Sequence, residues 1–290
     1  EDDFVAAYRI DGQDGHLTRL NRQSARGTAS CYLDVDAAGK TVVVANYSSG
    51  SVAALPVQDD GSLGKADGFV QHTGSSVDPK RQTGPNAHCI VVSPDGRFAL
   101  AADLGTDKVL IYRLNPEEAG LSSGETQPFA VLPPGSGPRH LTFHPSGQFV
   151  YVINELANTI TFFKYGIADG TLESRQTIST LPSEYSGTSH TADLKITPDG
   201  KFLYGTNRGH DSIASFRIAD DGHLQPISIQ SSQGKGPQNL LITPDGRWLM
   251  CANMPGNSLT VFGIDPDTGG LTPIGDAVSI PMPSCIRWLK

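Results

Sequence analysis

The chain has 290 residues, of which 38% are hydrophobic and 18% charged, and its formal net charge is −8. The acidic total argues against a nucleic-acid partner, which would need a basic footprint, and no apolar run has the length of a membrane-spanning helix. The 32 glycines and 20 prolines suit many short strands joined by turns better than long helices.

In chain order, the sequence opens inside a strand-like run, EDDFVAAYRI, and Phe4–Gln23 reads as half of a four-stranded unit. Five repeats follow, marked by the turn glycines Gly39, Gly96, Gly147, Gly200 and Gly246 at spacings of 57, 51, 53 and 46 residues. Their local sequences are AAGK, PDGR, PSGQ, PDGK and PDGR. Gly-x-Leu or Gly-Leu recurs between them, at Gly15, Gly61, Gly120, Gly170, Gly222 and Gly270. A repeat of this length with strand-and-turn chemistry predicts four-stranded blades of an all-β propeller. The chain closes on a predicted first strand near Pro283–Leu289. No linker, charge run or low-complexity segment intervenes, so one domain is expected over residues 1–290.

The repeats can be laid on one another. Six residues before each turn glycine stand Leu33, Ile90, Leu141, Leu194 and Leu240, and four before stand Val35, Val92, Phe143, Ile196 and Ile242. This stripe of period two predicts a first strand with one packed face. The run after the glycine, such as FLYGT or WLMCA, is nearly all apolar and predicts a second strand buried on both faces. A third strand is placed by Val52, Val109, Ile160, Ile213 and Leu259.

Positions alike in every copy serve the fold, and polar positions that differ are candidates for function. Seven residues after the glycine stand Asn46, Asp103, Asn154, Asn207 and Asn253, which reads as side-chain capping of a turn. The next position varies: Tyr47, Leu104, Glu155, Arg208 and Met254. Eight before the glycine stand Cys31, His88, Arg139, Ala192 and Gln238, and seven before stand Tyr32, Cys89, His140, Asp193 and Asn239. The first strand lines the axis of a propeller, so His88, Arg139, His140, Glu155 and Arg208 are expected to converge there. Two arginines beside histidines suit a phosphate or carboxylate, and Glu155 or His88 suits a general base. No Gly-x-Ser-x-Gly nucleophile motif occurs. The stretches Gly135–Arg139 and Gly234–Gln238 look like glycine-rich phosphate loops but lead into strands rather than helices. Histidine and carboxylate spacings suggest no metal site, and no cofactor is implied. Cys31, Cys89, Cys251 and Cys285 form no CxxC pair; their number fits two disulfides, but their apolar surroundings favour free, buried thiols, as in a reducing compartment.

The runs ANYSSGSV (45–52), QHTGSS (71–76), RQTGPNAH (81–88), ADLGTDKV (102–109), GPRHLTFHPSG (137–147), NELANT (154–159) and NRGHDSI (207–213) resemble the lactonase-type seven-bladed propeller family. Its branches include bacterial 6-phosphogluconolactonases and fungal 3-carboxy-cis,cis-muconate cyclases. The resemblance implies a ring of seven blades, of which this chain would lack about the first one and a half at its N-terminal end. It also implies an active-site set of His88, Glu155, Arg139 and Arg208. Arg139, His140, Arg208, His72 and Arg81 are the expected substrate-binding residues. One departure is Asn86-Ala87-His88 where the family often has His-Ala-His. The implied function is hydrolysis of a small anionic sugar lactone, foremost 6-phosphogluconolactone in the pentose phosphate pathway. Cyclisation of a carboxymuconate and a non-catalytic ligand- or protein-binding propeller are the alternatives. The expected location is cytoplasmic, unless an export signal has been lost with the start of the chain.

Overall fold

The computed structural model describes residues 2–289. The chain forms two compact units: one runs to Pro138 and includes Gly166–Thr171, and the other comprises Arg139–Tyr165 and the chain from Leu172 onward.

The first unit begins with an antiparallel pair, β1 (Phe4–Ile10) and β2 (Leu17–Ser24). A four-stranded sheet follows in the order β3 (Ser30–Val35), β4 (Thr41–Asn46), β5 (Ser51–Pro56) and β6 (Gly68–Gln71). The next sheet holds β7 (Ala87–Val92), β8 (Phe98–Asp103), β9 (Lys108–Asn115) and β10 (Gly120–Ser123), with β11 (Phe129–Val131) also paired to β9.

The second unit repeats the plan three times. Its sheets are β12 (Pro138–Phe143), β13 (Phe149–Asn154), β14 (Thr159–Tyr165) and β15 (Leu172–Ser179); then β16 (His190–Ile196), β17 (Phe202–Arg208), β18 (Ser212–Ile218) and β19 (Leu224–Ser231). The last holds β20 (Pro237–Ile242), β21 (Trp248–Asn253), β22 (Ser258–Ile264) and β23 (Leu271–Pro273), with β24 (Val278–Ser279) on β22. These antiparallel four-stranded meanders are β-propeller blades, and the described residues contain no helix.

The repeat marks have structural reasons. Each turn glycine has a positive φ, from 70° at Gly39 to 78° at Gly200, where a Cβ would be strained. The recurrent Asn or Asp is fully buried at the end of the second strand in every copy. Asn207 donates to Ser212 Oγ and the Thr180 carbonyl and accepts from Thr180 Oγ1, so it ties the turn to the end of the fourth strand. Asp103 does related work with its carboxylate, accepting the amides of Asn86, Gly105 and Thr106. The backbone adds a further mark of the repeat. Eleven residues past each turn glycine, Gly50, Asp107, Asn158, Asp211 and Asn257 all take φ between 50° and 60°. Gly, Asp and Asn are the residues that tolerate that backbone.

Two expectations fail at the ends. Pro283–Leu289 forms no strand: Pro281 and Pro283 lack amide donors, and the Ile286 amide goes to Asn239 Oδ1 at 2.8 Å instead of a ladder. The first-strand stripe is buried at Ile90, Leu141, Leu194 and Leu240, but Leu33 and Val35 are 48% and 44% exposed. That face of β3 is only about half covered.

Candidate active site

The site begins with an irregularity of the backbone. Pairing between first and second strands slips between Ser30 and Tyr32, Ala87 and Cys89, Thr191 and Leu194, and Pro237 and Asn239. The ladder register steps over Cys31, His88, Ala192 with Asp193, and Gln238. A bulge re-aims the side chain of its extra residue. The variable position eight before the turn glycine is therefore where these blades bulge, and Arg139 holds the same place in the repeat.

In the second unit four of the expected residues meet. Glu155 follows the last residue of β13, and Arg208 ends β17. Glu155 Oε2 lies 3.0 Å from Arg139 Nε and 2.9 Å from Arg208 Nη2, so one carboxylate joins two guanidiniums. Arg139 is 4% exposed and also donates to His140 Nε2 at 3.1 Å and to the Ala192 carbonyl. Arg208 is 26% exposed and is steered by the carbonyls of His190 and Thr191 and by Gln238 Oε1.

His140 was expected to touch substrate, and the structure places it between Arg139 and Asp193. Its ring is buried, with Nδ1 2.9 Å from Asp193 Oδ1 and Nε2 against Arg139. Burial first, and then the Arg139 charge, lower its pKa to about 4 against the pull of Asp193. Asp193 accepts from Lys195 Nζ, Asn239 Nδ2 and the Leu240 amide. Burial alone would raise the Asp193 pKa. Lys195, His140 and the Leu240 amide outweigh it and hold the carboxyl well below its usual range.

His88 and Arg81 lie in the first unit. His88 is half-buried, packs edge-on against Tyr47 with ring centroids 5.3 Å apart, and sets Nδ1 3.7 Å from Cys31 Sγ. Arg81 Nη2 approaches the Tyr47 hydroxyl at 3.4 Å. Tyr47 stands at the repeat position of Glu155 and Arg208, which was the available signal for it.

His72 was also expected to bind substrate. It is buried within its blade, with Nδ1 2.6 Å from Asp103 Oδ2 and Nε2 2.8 Å from Tyr112 Oη. Both ring nitrogens are engaged by protein groups. Burial, then Asp103, pushes the Tyr112 phenol far above its ordinary pKa.

The glycine-rich loops are filled by the protein's own carboxylates. The amides of Gly135 and Gly137 donate to Asp107 at 2.7 Å each, and that of Gly236 to Asp211 at 2.8 Å. These amides serve the fold and are not open to a phosphate. All four cysteines are free, but Cys31 and Cys285 are exposed: the first sits on a bulge and the second in the irregular C-terminal segment. Among the described residues no cluster of His, Cys, Asp and Glu is suited to a metal ion, and no helix is long and apolar enough to cross a membrane.

A propeller of four-stranded blades, with charged side chains on its first-strand bulges and second-strand ends, defines the class. The chain belongs to the lactonase seven-bladed β-propeller family, whose model matches residues 1–288. It is 36% identical over 286 residues to the 6-phosphogluconolactonase of Bacillus subtilis, covering 98% of this chain and 80% of that protein. It is 33% identical over 270 residues to the 6-phosphogluconolactonase of Formosa agariphila, covering 92% and 76% respectively. Among solved structures, the periplasmic gluconolactonase PpgL of Pseudomonas aeruginosa superposes with a TM-score of 0.92 at 34% identity, covering 98% of this chain and 79% of that one.

Proposed function

We propose that the protein hydrolyses a sugar lactone, foremost 6-phosphogluconolactone, in the manner of the relatives named for that reaction. The observation that carries the reading is Glu155 held between Arg139 and Arg208. Glu155 takes a proton from water as the water oxygen attacks the lactone carbonyl. The tetrahedral oxyanion then collapses, the ring C–O bond breaks, and the departing ring oxygen takes the proton back from Glu155 to become a hydroxyl. The new carboxylic acid ionises, so each turnover releases one proton to solution. Arg208, the more exposed guanidinium, holds the oxyanion or the substrate phosphate, and the buried Arg139 holds Glu155.

His88 is the competing base, and we assign the role to Glu155 because it lies against both arginines. The reading agrees with the names of the Bacillus and Formosa relatives, and the Pseudomonas gluconolactonase leaves the phosphate as the point to test. The experiment is hydrolysis of fresh 6-phosphogluconolactone beside unphosphorylated gluconolactone. Work in the pentose phosphate pathway follows from that substrate, if the phosphorylated lactone is preferred.

A further inference from the structure

We propose that Lys195, Asp193 and His140 form a positioning chain that sets Arg139, and through it Glu155, in register for the reaction; this rests on the lactone-hydrolase reading above. The argument starts from donors and acceptors. A guanidinium only donates, so the 3.1 Å contact of Arg139 Nη1 with His140 Nε2 requires that nitrogen to be an unprotonated acceptor. The single imidazole proton is then on Nδ1, where it is donated to Asp193 Oδ1 at 2.9 Å. One ring thus passes orientation from a buried carboxylate to a buried guanidinium. A second proton on His140 would set N–H against N–H and push Arg139 off its place.

Asp193 is suited to hold the ring in that form. It stands in the bulge of β16, is 1% exposed, and its two oxygens also accept from Lys195 Nζ, Asn239 Nδ2 and the Leu240 amide at 2.7–2.9 Å. Asp193 and Lys195 are two residues apart on one strand and so share a face. An unbalanced carboxylate beside His140 would draw a second proton onto the ring, and the Lys195 ammonium opposes this by neutralising Asp193. Charged groups facing His140 among the described residues include Arg139 on its own strand and Asp193 and Lys195 on β16; Glu155 and Arg208 lie one step further, beyond Arg139. Asn239 on β20 is neutral. None of the three members of the chain needs to touch substrate.

The test joins spectroscopy to kinetics. Imidazole nitrogen NMR of the whole protein, with the His140 signals assigned by His140→Gln, should show the Nδ1–H form with a midpoint near the pKa of about 4. Lys195→Met should raise that midpoint by about one unit, and the acid limb of kcat/KM should move up with it. Lys195→Arg keeps the charge and should restore both. An Nε2–H tautomer in the wild type overturns the chain whatever the variants do. So does a His140 midpoint unmoved by Lys195→Met, or a moved midpoint with an unmoved acid limb. A wild type without lactone hydrolysis would sink the proposed function, while the tautomer and the midpoint would still decide the chain.

Discussion

In blade β12–β15 the bulge position and the strand-end position hold Arg139 and Glu155, whereas in blade β7–β10 they hold His88 and Leu104. The scaffold around them is the same: a turn glycine of positive φ, a buried second strand and an Asn or Asp that closes the loop. What differs is how polar groups are satisfied. The second unit links Lys195, Asp193, the neutral His140, Arg139, Glu155 and Arg208 into one chain of hydrogen bonds and ion pairs. The first unit sets the softer groups Cys31, Tyr47 and His88 side by side, and elsewhere buries His72 against Asp103. A repeated framework can therefore keep its capping residues constant and carry chemistry only where the backbone bulges or the second strand ends.

The comparison breaks most sharply at the base. Glu155→Gln keeps the shape and should lower kcat by about a hundredfold or more, measured at saturating lactone. His88→Gln should cost less; if it costs more, the base belongs to the first unit. Arg208→Ala should reduce kcat/KM by roughly tenfold to a hundredfold, since a hydrogen bond to a charged group contributes about 1.5–3 kcal/mol. If Arg208 serves only as a salt bridge, its loss should lower the melting temperature and leave kcat/KM nearly intact.

Stability against pH sharpens the contrast. His140 is neutral when folded, so its depressed pKa costs stability as pH falls from the ordinary 6.5 toward about 4, where the unfolded chain alone takes up the proton. The wild type should melt at progressively lower temperature across that window, and His140→Gln should flatten the slope. His72→Gln, by contrast, should cost about 1–3 kcal/mol of stability by leaving buried partners unsatisfied, with kcat/KM unchanged. The smallest effect is chemical: Cys31 and Cys285 should alkylate in the native protein, and Cys89 and Cys251 only after unfolding. Mass spectrometry before and after denaturation reads this directly.

Much of the fold was legible because the repeat acts as its own alignment. The turn glycines, the second-strand cores and the capping asparagines are demanded by local backbone geometry, and each recurs at a constant offset. The candidate residues were legible at Arg139, Glu155 and Arg208 because they differ where the scaffold does not. Pairwise detail was not. Nothing local distinguishes His140, whose nitrogens both face protein, from His88, since that depends on what β16 brings alongside. Asp193 and Asn239 stood in the aligned columns, but their role needs the bulge that turns Asp193 toward Lys195 and His140. The exposure of Leu33 and Val35 was equally hidden: their strand has the same alternation as the others and differs only in what covers it.

The central claim is that the Arg139–Glu155–Arg208 cluster hydrolyses an anionic sugar lactone. Proton release in a pH-stat tests it most directly, with fresh 6-phosphogluconolactone and unphosphorylated gluconolactone as substrates for wild type and Arg208→Ala. The account predicts wild-type rates well above spontaneous ring opening, a preference for the phosphorylated lactone, and a weaker preference in Arg208→Ala. Wild-type rates no faster than spontaneous opening for either lactone would contradict it.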